Sequence, residues 1–181
     1  MEHIISRQFG ISEGSAEPLN LPHFDTYAIC NLRGGIGKSS LCFNLSYLTD
    51  DVLMVDTCPQ GNLSYFYDSQ YFSRNSTTVY ELILPHIMPG LGPATRVAQS
   101  ISATNKHFKG KKAFFIPSSD MMYLLPNQVA VALSQTGSVP QADVRAKMQD
   151  SILYSLNSEI QREKLETGCT RCLIDTSPFF S

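Results

Sequence analysis

The sequence predicts an α/β fold, a mostly parallel sheet flanked by helices. Three observations carry this. An apolar run at residues 26–32 leads straight into Arg33-Gly34-Gly35-Ile36-Gly37-Lys38-Ser39-Ser40. A helical period follows, and a second apolar run at residues 52–55 delivers Asp56. A further run, Cys172-Leu173-Ile174, delivers Asp175. Strand, glycine turn, helix and strand in that order form a βαβ unit, whose crossover makes neighbouring strands parallel.

Each element has its own signal. Residues 1–24 carry no clear period and contain Gly10, Gly14 and Pro18, so an irregular lead-in is expected there. Residues 27–32 read as a buried strand. Residues 39–49 read as a helix with Leu41, Cys42, Leu45 and Leu48 on one face. Thr78 and Glu81 have capping-box spacing and open a short helix that Pro85 should stop. Residues 94–104 suggest another helix, and residues 113–116 a strand closed by Pro117. Ser118 or Ser119 can cap the next turn, and Pro126 suits the start of a helix. Val144, Met148, Ile152, Leu156 and Ile160 fall on one helical face, predicting a single helix over 143–166 ended by Gly168.

The whole chain sets bounds. Its 181 residues suit one domain of roughly 100–200 residues. With 43% hydrophobic and 17% charged residues, it can bury a core and is not globally disordered. A net charge of −2 gives no bulk attraction for nucleic acid, which leaves only a local basic patch for that purpose. Cys30, Cys42, Cys58, Cys169 and Cys172 are odd in number, and residues 1–20 hold no unbroken apolar stretch. Free thiols in a reducing, cytoplasmic setting are expected. No apolar run is long enough to cross a bilayer.

The chemistry concentrates at three strand ends. Glycines allow backbone N–H groups to crowd around phosphate oxygens, and a helix start aims positive charge at the same point. Gly34, Gly35, Ile36 and Gly37 would cradle the phosphates, together with Ser40. Lys38 supplies a full charge, and the Ser39 hydroxyl suits magnesium. Asp56 opens the segment Asp56-Thr57-Cys58-Pro59-Gln60-Gly61-Asn62, and Asp175 opens Asp175-Thr176-Ser177-Pro178. Both aspartates should reach the carboxyl edge of the sheet, where ligands of parallel α/β folds bind.

The compact loop resembles the deviant Walker A loop of the ParA/MinD ATPases, a P-loop NTPase-like family. The Asp56 segment is similar to that family's Asp-x-Asp-Pro-Gln-Gly-Asn, and the Asp175 segment to its Ile-Asp-x-x-Pro. Pro117-Ser118-Ser119 also looks like a family segment. The resemblance runs over residues 26–178, so residues 25–181 are expected to be the nucleotide-binding domain, or its N-terminal portion. It implies ATP and Mg²⁺ as cofactors, with Ser39, Asp56 and Asp175 serving the metal. It further implies a nucleotide-dependent homodimer that acts in DNA or plasmid partitioning or in cellular positioning, with a ParB-like partner and non-specific DNA. Lys38, Arg33 and Asp56 are the catalytic candidates.

Three departures stand out. The family's signature lysine is Arg33 here, which keeps the charge but changes its geometry. The second aspartate of the Asp-x-Asp segment is Cys58, a neutral thiol at pH 7 rather than a carboxylate that positions water. Slow hydrolysis is the expectation. Only six residues follow Asp175, so the sheet is expected to be incomplete on its C-terminal side. Competing readings are a non-hydrolysing nucleotide-dependent module, a ligase of the dethiobiotin-synthetase type, and an interaction protein with a vestigial loop. The residues do not distinguish ATP from GTP. Cys169 and Cys172 have zinc-like spacing without a second pair. The basic run at residues 106–112 suits either nucleic-acid backbone or a solvated loop.

Overall fold

A computed structural model describes residues 2–17, 23–73, 76–88, 90–95 and 97–178. The strands are β1 (Thr26–Ile29), β2 (Val52–Asp56), β3 (Gln99–Ser100), β4 (Ala113–Ile116) and β5 (Arg171–Asp175). Their order is β1-β5-β2-β4-β3, parallel throughout except where β3 meets β4. The expected mostly parallel sheet is therefore present. Ile29 and Asp56 both register against Asp175, so three strand ends lie level.

The helices are α1 (Glu2–Ser12), α2 (Lys38–Leu48), α3 (Asn62–Tyr67), α4 (Val79–Ile87), α5 (Ile101–Thr104), α6 (Leu125–Thr136), α7 (Ala142–Leu153) and α8 (Ser155–Thr167). Period-two alternation along β2 sorts the core into two layers. Leu53 and Val55 pack with Ile83, Ala132, Ile152 and Ile160 under α4, α6, α7 and α8. Val52 and Met54 pack with Cys42, Leu63, Tyr67 and Ile101 under α2, α3 and α5. All five residues of β2 are buried, as a central strand covered on both faces requires. Each such apolar side chain contributes about 1.5–3 kcal/mol.

Several elements differ from expectation. The lead-in contains α1, which tolerates Gly10 and is closed by Gly14 in the left-handed region (φ 73°), its N–H donating to the Ile11 carbonyl. β1 is shorter than predicted and lies at a sheet edge, with Tyr27 43% exposed. On α2, Cys42 and Ser46 face inward while Leu41 and Leu48 are exposed, because the buried Tyr67 hydroxyl donates to Ser46 Oγ at 2.6 Å and turns the helix. The capping box at Thr78 forms as predicted.

Pro85 does not end α4. The buried Leu82, Ile83 and Ile87 hold its last turn in place. The region predicted as a helix over 94–104 is mostly not helical. The buried Glu163 carboxylate accepts the N–H groups of Val97 and Ala98 and keeps that stretch extended, leaving only α5. The single helix over 143–166 is two, α7 and α8, with the break at Tyr154, and Gly168 ends the second in the left-handed region (φ 68°). No described helix is long and apolar enough to cross a membrane.

Candidate functional site

The loop between β1 and α2 is built by local rules. The Asn31 side chain accepts the Arg33 N–H at 2.8 Å and turns the chain out of the strand. Gly35 (φ 73°) and Gly37 (φ 87°) then adopt left-handed conformations that side-chain-bearing residues rarely take. Gly37 is the N-cap of α2 and offers no side-chain acceptor, so no cap of that kind covers the first N–H groups. Lys38 folds back over the loop, its Nζ donating to the Arg33 carbonyl at 3.4 Å. The segment is thus curled, not extended.

This loop walls a cavity of about 420 Å³ that Gly34, Gly35, Gly37, Lys38, Ser39 and Ser40 border on one side. Cys58, Gln60, Asn62, Phe66, Thr176 and Pro178 complete it. Arg33 and Ile36 are exposed and do not border it. The Arg33 guanidinium makes no ion pair among the described residues.

Asp56 and Asp175 end adjacent strands and are fully buried, but their surroundings differ. Asp56 Oδ1 accepts the Cys58 N–H at 3.0 Å. Its Oδ2 accepts the Ser64 N–H at 2.9 Å and the Ser64 hydroxyl at 2.8 Å. Ser64 Oγ in turn accepts the Ser118 N–H at 3.0 Å. Neither Asp175 oxygen has a partner at hydrogen-bond geometry among the described residues. Burial raises the Asp175 carboxyl, and the facing Ser39 hydroxyl and Cys42 thiol offset part of that. Burial, reinforced by the Asp175 charge, pushes Asp56 up to about 7 against the pull of its donors.

A buried carboxylate costs several kcal/mol unless it is compensated, so one that only Ser39 and Cys42 face, beside a glycine cradle, fits a cation with phosphate. Asp56, expected to serve the metal and the chemistry, accepts three hydrogen bonds from its own chain. It clamps the loop from Cys58 to Ser64. Ser64 was missed from sequence because the turn at Gly61 (φ 62°) brings it back onto a residue eight positions earlier. Phe66, two residues farther along α3, borders the cavity and was missed for the same reason.

Other candidates fall elsewhere. Burial raises the Cys58 thiol, which borders the cavity as a neutral group. All five cysteines are free, and Cys169 and Cys172 are buried. No group of three or more metal-binding side chains occurs among the described residues. In the basic run, Lys111 pairs with Asp50 at 3.7 Å and lies over the Tyr47 ring. Lys112 pairs with Asp51 at 3.4 Å and donates to the Gly168 carbonyl. Lys106 and Lys109 remain exposed.

Comparison with known proteins follows the same lines. A cobyrinic acid a,c-diamide synthase from Mycobacterium smegmatis, solved with ADP and magnesium, superposes with a TM-score of 0.56 at 18% identity, over 86% of this chain and 52% of its own. A Corynebacterium diphtheriae protein gives 0.59 at 16% identity, over 86% and 52%. An ATP complex of a Cyanothece McdA variant gives 0.52 at 23% identity, over 86% and 49%. These likenesses concern the fold, and the chain spans about half the length of the structures it matches. No curated protein sequence matches it. Residues 27–151 match the family described as the CobQ/CobB/MinD/ParA nucleotide binding domain. With its glycine loop and first acidic strand end inside that match, the chain belongs to the CobQ/CobB/MinD/ParA nucleotide-binding domain family.

Proposed function

We propose that residues 25–181 form a unit that binds ATP·Mg²⁺ and uses it to switch between separate and paired subunits in partitioning or positioning. One observation carries this: the buried Asp175 carboxylate, with no partner at hydrogen-bond geometry among the described residues, faces Ser39 at the start of a helix headed by left-handed glycines. Amides from Gly34 to Ser40 would hold the phosphates, and Lys38 would leave the Arg33 carbonyl for the β/γ charge. Ser39 would ligate magnesium, and Asp175 would order its waters. Bound Mg²⁺ neutralises charge on the phosphate oxygens. The ADP, ATP and magnesium in the solved structures with this fold support that choice of ligand.

Arg33 serves the paired state. An exposed guanidinium at the head of the loop is free to reach a second subunit's phosphates. Cys58 makes hydrolysis slow, because a neutral thiol replaces a water-positioning carboxylate. A ParB-like partner and non-specific DNA belong to the same reading. Lys106 and Lys109 are the exposed cations of the basic run, and Lys111 and Lys112 are engaged within the domain.

A second reading, a small-molecule ligase of the dethiobiotin-synthetase type, draws on another cavity of about 420 Å³. It is largely apolar and is bordered by Ala28, Thr57, Met122, Leu156, Ile174 and Thr176 at the same strand ends. Light scattering with and without ATP·Mg²⁺ separates the two. The switch requires a doubled mass with nucleotide and loss of that change in Lys38→Ala. A monomer under both conditions, with ATP bound, would favour the ligase.

A further inference from the structure

A smaller cavity, of about 220 Å³, takes none of its walls from the glycine loop. Tyr71, Phe72, Thr78, Ser118 and Asp120 are among the residues that border it. Ser118 is 1% exposed, and its Oγ has no hydrogen-bond partner among the described residues. A buried hydroxyl left alone is costly, so it marks a place where a bound group can meet it. The charge nearby is negative. Asp120 is exposed, accepts the Ser119 hydroxyl at 3.3 Å and enters no ion pair among the described residues. The start of α4 does not offset that charge, because the Thr78 N–H and hydroxyl both go to the Glu81 carboxylate. This argues against an anion and for a cation. Tyr71 and Phe72 add a π surface, their ring centroids 3.9 Å apart, with Tyr71 buried and Phe72 64% exposed. The volume is below the roughly 300–1,000 Å³ of sites that enclose a whole ligand, and suits a single head group. Tyr71 also touches the nucleotide side. Its hydroxyl donates to the Gly61 carbonyl at 3.4 Å, and the Gly61 N–H closes a turn whose Cys58 and Gln60 border the glycine-loop cavity.

We propose that this cavity is a second binding site, which takes a planar organic cation of the guanidinium type. Asp120 supplies the opposite charge, the Phe72 ring gives the cation a face to lie on, and Ser118 Oγ accepts one of its N–H groups. A free small molecule and the arginine side chain of a polypeptide both carry this group. The site stands apart from the nucleotide reading. The contact of Tyr71 with Gly61 adds one consequence that rests on that reading: cation and nucleotide change each other's affinity by the same factor.

The test is titration of the nucleotide-free chain with ethylguanidinium, with its uncharged analogue ethylurea and with N-acetylarginine amide, followed by NMR shifts. Ethylguanidinium should bind and ethylurea should not. Asp120→Asn and Phe72→Leu should each weaken ethylguanidinium about threefold or more, and Ser118→Ala about tenfold. Ser118→Ala removes an unpaired hydroxyl, so its melting temperature should be unchanged or raised, which separates lost binding from lost folding. Tighter binding of N-acetylarginine amide than of ethylguanidinium supports the site with a polypeptide as source, and equal or weaker binding supports it with a free cation. Equal binding of ethylurea, or unchanged affinity in Asp120→Asn and Ser118→Ala, overturns the proposal. Saturating ATP·Mg²⁺ should change the affinity for ethylguanidinium by about fivefold in the wild type, and by less in Tyr71→Phe. No change in the wild type, with ATP bound, overturns the coupling alone. If ATP does not bind, the nucleotide reading falls and the coupling with it, while the cation site is judged on the first titration.

Discussion

Asp56 and Asp175 show how one residue type acquires two roles from its surroundings. Three donors hold Asp56, so Ser64→Ala should destabilise the domain by about 1–3 kcal/mol, read from urea unfolding. The pH dependence follows from its carboxyl, raised in the folded state to about 7 against ~3.9 in an unfolded chain. Folding favours the protonated form, so its contribution is complete below pH ~4 and is lost as pH rises through about 7. Nucleotide-free protein should therefore gain stability between about pH 8 and about pH 6, and Asp56→Asn should flatten that trend in melting curves. Cys58→Asp restores a carboxylate at the cavity wall. Steady-state ATP turnover should rise toward the ~10²-fold that a positioned base contributes; wild type already matching the variant would refute the slow-hydrolysis reading. The loop residues were legible in sequence because glycine, lysine and serine at that spacing after a strand have few other uses. The partners of Asp56 were not, because they depend on where a turn returns the chain.

At the scale of elements, that turn is the sensitive point. Gly61 is left-handed, and a Cβ there would lie 1.7 Å from the Tyr71 hydroxyl. Gly61→Ala should cost about 2 kcal/mol or more and disturb α3, visible as a lowered melting temperature together with weaker ATP binding. The elements read well from sequence were those with local causes: the Thr78 capping box, the strands ended by acidic residues, and Gly168 after α8. Misread elements had distant causes. Glu163 on α8 fixes the chain at Val97 and Ala98, and buried side chains carry α4 past Pro85. The break at Tyr154 lies in an unbroken apolar period, since Ile152 and Ile160 are both buried although they belong to different helices.

For the whole molecule, parallel strands with helices on both faces followed from the alternation of apolar runs and helical periods. The edge position of β1 did not, because an apolar run looks the same at an edge as in a centre. Among the described residues that edge is short and uncharged, with Ala28 and Tyr27 exposed, the kind of row of unpaired backbone groups on which strands pair between molecules. Ala28→Lys should lower concentration-dependent association in nucleotide-free protein, measured by light scattering across a dilution series. The alignment of Ile29, Asp175 and Asp56 has a wider consequence. Sliding β5 by a single residue would replace the carboxylate with a neighbour and drive Cys172 and Ile174 out of their layer. The charge is therefore aimed chiefly by the hydrophobic sorting of the strand that carries it. Damage to the interior should leave the site either intact or absent, with few molecules holding a slightly misplaced one.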